Sequence, residues 1–456
     1  MNNKKIVVLL KYYKGELNPF DGAALEAALR LGGEVTVLAM APVGVLENMR
    51  SLTRLGVKAV LVSDKSYAGS DTIATSYILA EALKRLEFDW VFCGRQSMDG
   101  DTAQVPVMLA QRMGFDFVGK IMRIEGERFF TREGKEREVQ NRSVCSFEKI
   151  HTLRFPSIFS KAGDVEIWDN GVLNLHLEKC GLKGSPTRVV KSSESKVGRR
   201  YCQPATLDDL PRLIEEGLRK QTVQKTETDE TKEKVEVCAY VGKNVKAYAE
   251  NVALTATELS VEGKSPEEIK EEILRRGFRS VLWEGTDEYK ELASRTAVLL
   301  GAGLCADCIE FSAREGKLVM TRPACGGNVI ADIVATSDVA MATVKTVQKS
   351  ADVIFSVGRG GVEALDKIKL LAEKFNAELC CSRVVADSGT LPYEAQVGLT
   401  GRIVNPKVYV AIGISGAVQH TCGMEGSGTV IAVNRNKEER IFEYADYAIV
   451  TDVRDL

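Results

Sequence analysis

Histidine is scarce in this chain, with only His151, His176 and His420 among 456 residues. This count argues against any mechanism that needs several imidazoles as metal ligands or acid–base groups. An excess of charge of one sign is also missing, since 61 Lys and Arg face 63 Asp and Glu and leave a formal net charge of −2. With no overall field to attract nucleic acid or an anionic membrane, we expect small molecules and proteins as partners.

Long apolar runs are absent as well. Runs such as 59–62 and 408–412 have the length of strands and fall short of the ~18 residues that a membrane-spanning helix needs. At the N-terminus only residues 6–10 form an apolar run before Lys11, and no small-residue cleavage site follows. We therefore predict no signal peptide, no membrane insertion and a cytoplasmic location.

Cysteine is present in an odd number, eleven, scattered through a chain without a secretory signal. This pattern indicates reduced thiols rather than a disulfide framework. Cys305 and Cys308 form the one C-x-x-C motif, with no second pair and no histidine at zinc-ligand spacing. A metal or redox role stays open as the alternative, and buried thiols in a strand and its loop are the expectation.

Strand-length apolar segments alternate with helical patterns along most of the chain. The predicted strands are 6–10, 34–38, 58–62, 89–93, 235–240, 280–283, 351–357, 377–381, 407–412, 429–434 and 447–451. Continuous apolar strands separated by helices predict parallel sheets that are covered on both faces. We predict an α/β fold with three open, mostly parallel sheets flanked by helices, and at this length about three domains are expected.

A polar stretch separates the two halves of the chain. Residues 191–234 hold one short amphipathic piece, 208–214, and the final part, 221–234, has almost nothing to bury and predicts a solvated linker. The predicted organisation is two related nucleotide-binding-type domains and a third, C-terminal domain. Their bounds are 1–190, the arm and linker 191–234, 235–348 and 349–456.

Polar and glycine-rich residues follow strand after strand in the last domain. Ser382 and Arg383 follow one strand, 413–420 the next and Asn434 ends the third, and 396–401 is a glycine-paced loop. Open α/β sheets bind ligands at the carboxyl ends of their strands. Any one of these motifs alone could be an ordinary strand-to-helix turn, but together they predict a ligand site.

The chemistry available at these turns suits a phosphate-bearing redox cofactor. Glycines let the backbone approach a ligand closely, and the N–H groups of a helix beginning near Ser415 could hold a pyrophosphate. A redox ring that gains electrons needs positive charge nearby, and Arg383 and His420 are the groups available to supply it.

In these motifs and in several others, the sequence resembles a known family, the electron transfer flavoproteins. The segments similar to the FAD-binding domain of the α subunit are S-R-V-V-A-D-S-G at 382–389, Q-V-G-L-T-G at 396–401, G-I-S-G-A-V-Q-H at 413–420 and A-D-Y-A-I-V-T-D at 445–452. T-R-P-A-C-G-G-N at 321–328 and M-A-T-V at 341–344 resemble that subunit's N-terminal domain. The segments similar to the β subunit are N-P-F-D at 18–21, C-G-R-Q-S-M-D-G-D-T-A-Q-V at 93–105 and G-L-K-G-S-P-T at 181–187. The chain thus resembles a fusion of the β and α subunits, in that order, over nearly its whole length.

The resemblance implies an FAD in the last domain. Arg383 would lie against the flavin ring, Thr400 near its N5 and His420 on the O2 side, where it favours an anionic semiquinone. The other implied FAD contacts are Arg359, Ser382, Gln396, Val397, Gly398, Gly413, Ser415, Gly416, Ala417, Gln419, Asn434 and Asp452. Leu399 departs from the family's usual Q-V-G-Q-T-G, so one polar contact near the cofactor is not expected here.

A second adenine-nucleotide site is predicted in the β-like half. Strand 89–93 runs into a loop and then a helix, so Thr102, Ala103 and Gln104 lie near a helix N-terminus that could take a phosphate. Asp99 and Asp101 have the wrong charge for phosphate and suit ribose hydroxyls, or only helix capping. The resemblance implies AMP in simple carriers and a second FAD in electron-bifurcating members. The residues assigned to this site are Asn18, Phe20, Asp21, Met40, Gly94, Ser97, Asp99, Asp101, Thr102, Ala103, Gln104 and Val105.

A docking segment and two functions follow from the resemblance. Residues 154–158 match the pattern whose apolar tip inserts into a partner dehydrogenase, so we assign docking to Pro156, Ser157 and Ile158. The lysine-rich run that follows in the family is replaced here by 161–166, so the expected partner is a flavin-dependent dehydrogenase, either acyl-CoA dehydrogenase-like or of another kind. The expected function is an FAD-containing carrier that shuttles electrons between such dehydrogenases and an acceptor. The alternatives are an NADH-dependent electron-bifurcating flavoprotein and, less well matched, a regulatory adenine-nucleotide-binding module.

Overall fold

The computed structural model describes residues 4–194, 200–219, 233–325 and 329–456. The chain divides into two compact units. Unit 1 comprises Met1–Ser192, Thr231–Cys325 and Ala331–Val344, and unit 2 comprises Ser193–Glu230, Gly326–Ile330 and Lys345–Leu456. Most of the predicted linker, and the G-G-N of the 321–328 motif, lie outside the described residues. Within the described ranges no helix is long and apolar enough to cross a membrane.

Unit 1 begins with a nine-stranded sheet and the helices that cover it. Its elements in chain order are β1 (Lys5–Leu10), β2 (Tyr12–Tyr13), β3 (Glu16–Leu17), α1 (Pro19–Leu31), β4 (Glu34–Met40), α2 (Leu46–Thr53), β5 (Lys58–Val62), α3 (Thr72–Leu83), β6 (Trp90–Gly94), α4 (Val105–Met113), β7 (Asp116–Glu125), β8 (Arg128–Thr131), β9 (Glu136–Glu138), β10 (Ser143–Phe147), β11 (Val165–Trp168), α5 (Asn170–Leu173), α6 (Gly181–Gly184) and β12 (Thr187–Glu194). The strand order is β11-β5-β4-β1-β6-β10-β7-β8-β9, parallel up to β7 and antiparallel for the last two strands. β2 and β3 form a small antiparallel hairpin of their own.

Local sequence explains where these elements begin and end. Pro19 stands in the first turn of α1, where its missing N–H leaves no hydrogen bond unmade, and Gly32 ends the helix in the left-handed conformation at φ 75°. The apolar residues of β1 are buried on both faces, with Val8 in one core cluster and Val7 in the other. Burial on both faces is what a parallel strand between two helical layers requires.

The chain then passes through unit 2 and returns to unit 1. The elements of this part are β13 (Gln203–Ala205) and α7 (Leu210–Arg219) in unit 2, followed in unit 1 by β14 (Val235–Val241), α8 (Lys246–Val252), β15 (Ala253–Glu258), α9 (Pro266–Arg275), β16 (Ser280–Glu284), α10 (Asp287–Leu300), β17 (Gly303–Cys308), β18 (Glu310–Arg314), β19 (Lys317–Ala324), β20 (Val329–Ala335) and β21 (Ala340–Val344). A five-stranded parallel sheet has the order β15-β14-β16-β21-β17, and a four-stranded sheet, which the sequence did not predict, has the order β12-β20-β19-β18.

Unit 2 is built on a six-stranded parallel sheet. Its further elements are β22 (Val353–Val357), α11 (Leu365–Lys374), β23 (Glu378–Cys381), α12 (Arg383–Asp387), β24 (Val408–Ile412), α13 (Val418–Thr421), β25 (Thr429–Asn434) and β26 (Tyr447–Val450). The strand order is β13-β26-β25-β24-β22-β23. β13 and α7, from the stretch expected to be a polar arm, are therefore part of this unit, and Leu213 and Ile214 of α7 are buried in its core. The predicted α/β fold with mostly parallel sheets is confirmed.

The helix expected near Ser415 differs from the structure. α13 begins three residues later, at Val418, and is only four residues long. Gly413 and Gly416 have φ values of 63° and 84°, in the left-handed region, which interrupts any right-handed helix through Ser415. The segment after β24 is therefore a glycine turn, and a helix N-terminus does not supply the N–H groups there.

Candidate functional site

The candidate site in unit 2 lies at the carboxyl ends of its parallel strands. Backbone hydrogen bonds join the turns that follow neighbouring strands: the N–H of Ser382 donates to the carbonyl of Val357 (2.9 Å), and the N–H of Gly413 donates to that of Val433 (2.9 Å). Asn434 closes β25 in the same row of strand ends. The structure thus brings together the turns that the sequence predicted separately.

Two of these turns pack so closely that only glycine fits. A Cβ on Gly358 would lie 2.2 Å from the carbonyl oxygen of Gly413, and a Cβ on Gly416 would lie 2.1 Å from the backbone nitrogen of Ile441. Such bare backbone at the strand ends matches the requirement of a pyrophosphate-bearing cofactor, which needs close approach to main-chain N–H groups.

The loop 396–401 packs against the turn that contains His420. Gln396 is buried and its Nε2 donates to Thr400 Oγ1 (2.8 Å), while the N–H of Leu399 donates to the carbonyl of Gln419 (2.7 Å). The carbonyl of Leu399 accepts from Lys345 Nζ (3.3 Å). Leu399 therefore contributes through its backbone, and Thr400, Gln419 and His420 are brought close together.

His420 is neutral in this structure at pH 7. The ring is 6% exposed, and its Nε2 lies 2.9 Å from the hydroxyl of Tyr409, itself fully buried on β24. Burial lowers the pKa of His420 to about 4. The sequence treated this residue as a source of positive charge, and the buried apolar surroundings oppose that charge. Tyr409 was not among the predicted site residues, since a tyrosine in a strand pattern carries no signal of its partner.

Arg383 keeps its charge but has a counterion. It is the first residue of α12, its Nε lies 3.2 Å from Asp387 Oδ2, and its side chain is 32% exposed. Tyr393 donates from its hydroxyl to the other oxygen of Asp387 (3.1 Å). The guanidinium is thus held at the edge of the strand ends with a part of its surface open to a ligand.

Two further predicted residues have structural partners. Asn434 donates from Nδ2 to the carbonyl of Ile414 (3.0 Å) and accepts from the N–H of Asn436, so it braces the glycine turn. Asp452 accepts from the backbone and guanidinium of Arg454, which hold the pKa of its carboxyl well below the usual range.

Comparison with known proteins decides the family. A family model described as the electron transfer flavoprotein domain matches residues 6–149 and 268–367, together more than half of the chain, and the model of the electron transfer flavoprotein FAD-binding domain matches residues 348–425. The chain belongs to the electron transfer flavoprotein family.

Relatives of both subunit types match the chain. The electron transfer flavoprotein subunit beta of Thermoanaerobacterium thermosaccharolyticum is 34% identical over 202 residues, 40% of this chain and 77% of that protein. The subunit alpha of Pseudomonas aeruginosa is 30% identical over 267 residues, 47% of this chain and 85% of that protein. Protein FixA of Bradyrhizobium diazoefficiens is 37% identical over 205 residues, 38% of this chain and 69% of that protein. These matches confirm the predicted fusion of β-like and α-like halves.

Unit 1 of this electron transfer flavoprotein contains a large cavity of about 1230 Å³. Ten of the residues predicted for the second nucleotide line it, namely Asn18, Asp21, Met40, Gly94, Ser97, Asp99, Thr102, Ala103, Gln104 and Val105. Phe20 and Asp101 do not line the cavity. Phe20 is buried in the core, and Asp101 turns its carboxylate to Gln96 Nε2 (2.8 Å).

Two helix N-termini open onto this cavity. α4 begins at Val105, directly after Gln104, and α3 begins at Thr72, capped by Asp71, which accepts from the N–H of Ala74 (3.0 Å). Thr72 Oγ1 donates to Gln104 Oε1 (3.0 Å) and so joins the two ends. The N-terminus of α4 has no side-chain cap and presents N–H groups and positive partial charge, which suits a phosphate, whereas the carboxylate of Asp71 already occupies the N-terminus of α3.

The carboxylates of the cavity wall are held by the protein. Asp21 accepts from the N–H groups of Lys11 and Gly94, both at 2.8 Å, and complete burial raises its pKa to about 6. Asp99 lies 2.8 Å from Lys11 Nζ. Burial alone would raise the pKa of Asp99, but Lys11 prevails and lowers it. These carboxylates shape the wall, and Lys11 offsets their charge.

Sequence reasoning missed the part of the wall that comes from beyond residue 105. Thr187, Cys305 and Arg322 also line the cavity, and the N–H of Cys325 donates to the carbonyl of Asp99 (3.0 Å). The T-R-P motif at 321–323 indicated a resemblance to the α subunit but not that Arg322 lines this cavity. A contact between segments more than two hundred residues apart leaves no local pattern that would have revealed it.

The docking segment is held at its base and exposed at its tip. Phe155, Ile158 and Phe159 are 94%, 83% and 87% exposed, whereas Pro156 is half-buried. Below the tip, Arg154 donates through its backbone N–H, Nε and Nη2 to the carboxylate of Glu26 on α1, which is 3% exposed. The two phenylalanines were not predicted, although an exposed aromatic pair in a short segment is the stronger signal for a protein interface.

Proposed function

We propose that this chain is an FAD-containing electron carrier that moves electrons between flavin-dependent dehydrogenases and an acceptor without making or breaking substrate bonds. The observation that carries the proposal is the row of parallel strand ends in unit 2, with its glycine turns and the 396–401 loop, in the segment matched by the FAD-binding domain. When bound, FAD supplies the capacity to take up and release one or two electrons.

The residues at the strand ends have separable roles in this proposal. The backbone of Ser415 and Gly416 would hold the pyrophosphate, since the N–H of Gly413 already donates to the carbonyl of Val433. Arg383 would oppose the negative charge of the reduced ring, since it is a cation with a partly open surface at this edge. Thr400 and Gln419, joined through the backbone of Leu399, would position the ring edge.

The cavity of unit 1 would hold a second adenine nucleotide, with its phosphate at the N-terminus of α4. A second candidate function, an NADH-dependent electron-bifurcating flavoprotein with FAD in this cavity, is favoured by size. A volume of about 1230 Å³ exceeds the roughly 300–1,000 Å³ of ordinary ligand sites and is far more than a mononucleotide fills.

The partner would dock on the exposed tip formed by Phe155, Ile158 and Phe159. Three exposed apolar side chains on a base held by buried ionic hydrogen bonds are suited to insertion into an apolar pocket of a dehydrogenase. Lys161 is the one basic residue that follows closely before 166, so the contact would rest on apolar burial rather than on a lysine cluster.

Release and identification of the bound nucleotides test both proposals. Denaturing the purified protein should release one FAD and one AMP per chain for a simple carrier, or two FAD per chain for the bifurcating alternative. Reduction of the flavin by NADH would then be expected only in the second case. Release of a single FAD, with no binding of added AMP or FAD, would contradict a nucleotide site in unit 1, and absence of any FAD would contradict the carrier itself.

A further inference from the structure

Cys305 and Cys308 are brought onto the same face of the five-stranded sheet by a bulge. β17 pairs with β21 through Cys305 opposite Ala342 and Cys308 opposite Val344, so three steps along β17 match two along its partner. Asp307 is the extra residue of the bulge. Its φ is 53°, and its N–H donates to Thr343 Oγ1 (2.9 Å). In an unbulged strand, residues three apart would point to opposite faces.

The bulge also places the two thiols within reach of each other. Residues that occupy alternate positions on a strand are about 6.6 Å apart between Cα atoms, at the upper end of the roughly 4.4–6.8 Å of disulfides, so closing the bond requires the bulge to draw the two Cβ atoms together. The thiol of Cys308 donates to the carbonyl of Cys305 (Sγ to O, 3.7 Å). Burial raises the pKa of Cys308 well above its ordinary value, the Cys305 thiol beside it adds to that effect, and the charge of Arg322 opposes it.

One of the two thiols can be reached from the cavity of unit 1. Cys305 and Arg322 both line that cavity, whereas Cys308 lies fully buried behind the wall. A small molecule entering the cavity therefore meets Cys305 before Cys308. Cys308 is positioned to act as the second thiol.

We propose that Cys305 and Cys308 form a redox-active dithiol that a small-molecule disulfide oxidises through the cavity. The Cys305 thiolate attacks one sulfur of the reagent, forms a mixed disulfide and releases one thiolate. The Cys308 thiolate then attacks Cys305 Sγ and releases the second. The two protons lost by the cysteines go to the released thiols, so two thiols and one disulfide yield one protein disulfide and two small thiols.

The closed disulfide would stand next to the N-terminus of α4. Gln104, which precedes that helix, donates from Nε2 to the carbonyl of Leu304 (3.4 Å), the residue before Cys305. Oxidation would change the bulge that carries this contact, and a nucleotide in the cavity would cover Cys305. The proposed dithiol does not depend on the proposed nucleotide, but the expectation that a bound nucleotide shields Cys305 does.

Thiol mapping of the full-length protein tests the dithiol. The native chain is incubated across a series of ratios of oxidised to reduced glutathione, free thiols are alkylated, and peptides are identified by mass. The peptide with Cys305 and Cys308 should convert to an internal disulfide as the ratio rises. Cys145 provides the internal control, because it is fully buried and does not line the cavity, so it should stay reduced. Reduced Cys305 and Cys308 at every ratio would overturn the proposal.

Single variants separate the roles of the two thiols. Cys308→Ala should accumulate one glutathione per chain on Cys305, whereas Cys305→Ala should leave Cys308 unmodified, because Cys308 is not reached from the cavity. Equal modification of the remaining thiol in both variants would contradict the assigned order. Added AMP or FAD should slow oxidation of the native chain. An unchanged rate would count against a nucleotide at this end of the cavity, while the disulfide itself would still establish the dithiol.

Discussion

At the scale of single residues, the neutral state of His420 sets what this side chain can do. The pKa is about 4 in the folded chain and 6.5 in an unfolded one, so the unfolded state binds more protons between these values. The stability of unit 2 is complete above about pH 6.5 and decreases as the pH falls toward 4, by about 3 kcal/mol in all. The ring stays neutral through the physiological range.

Ring nitrogen signals of the three histidines check this directly. In protein labelled with ¹⁵N-histidine, one residue should keep the neutral pattern down to about pH 5, and His420→Gln should remove that signal. A titration of the same signal near pH 6.5 would contradict the burial argument.

Arg383 is expected to matter more for the flavin than His420, because it carries the charge. Arg383→Gln should lower the flavin reduction potential and the yield of anionic semiquinone, by an amount near the roughly 1.5–3 kcal/mol of a charge-assisted hydrogen bond. Lys407→Gln is the matched control, since it makes the same charge change at the opposite end of β24. His420→Gln should have the smaller effect. Equal potentials in the Arg383 variant and the control would remove Arg383 from the environment of the ring.

At the scale of elements, α7 depends on a glycine that allows it to lie against the sheet of unit 2. A Cβ on Gly217 would lie 2.6 Å from Val408 Cγ2 and 3.1 Å from Thr429 Cβ. Gly217→Ala should therefore destabilise unit 2 by about 1–3 kcal/mol, although alanine is the better helix former by about 1 kcal/mol.

The temperature at which unfolding releases the flavin, seen as an increase in flavin fluorescence, measures this effect. Gly22→Ala in α1 is the matched control, because its nearest neighbours would be 3.7 and 3.8 Å away. The control should leave the release temperature unchanged, and a Gly217 variant that behaves like it would show that α7 does not pack as described.

The docking segment depends on the Glu26 carboxylate at its base. Burial alone would raise the pKa of Glu26, but hydrogen bonds from Arg154 and Arg30 prevail and lower it to about 2. Glu26→Gln weakens these bonds and should raise the rate of chymotrypsin cleavage after Phe159 about tenfold, since cleavage follows the population of the opened segment. Glu81→Gln, which removes an exposed ion pair with Lys84, should cleave at the native rate. Equal rates in both variants would show that Glu26 does not hold the segment.

The sequence was a good guide to elements with a strong local pattern. The predicted strands 58–62 and 429–434 match β5 and β25 residue for residue, because each is a continuous apolar run with polar or glycine ends. The start of α13 was misjudged, since the left-handed glycines before it depend on packing against neighbouring turns. β12 and β13 were missed as sheet strands because the strands beside them, β20 and β26, are distant in sequence.

The candidate site divides in the same way. Motifs on consecutive strand ends predicted the cluster in unit 2, because parallel strands bring their ends together. The neutrality of His420 was not predictable, since it depends on how deeply the fold buries the ring. The contribution of Arg322 and Cys305 to the cavity of unit 1 likewise needed the fold.

At the scale of the whole molecule, one chain combines what the family's β and α relatives carry separately. Matches to both relatives and to the FAD-binding domain cover most of its length. The central claim is that this single chain takes up electrons on a flavin and releases them to another molecule. Flavin and nucleotide stoichiometry per chain, rather than per pair of chains, is therefore the relevant quantity.

An anaerobic reductive titration of the purified chain tests that claim most directly. With dithionite as the reductant and the absorption spectrum as the readout, the account predicts two electrons taken up per bound FAD, with an anionic semiquinone on the way. It also predicts full recovery of the oxidised spectrum when an electron acceptor is added. A chain that binds no FAD, or whose reduced flavin does not return its electrons to any acceptor, would contradict it.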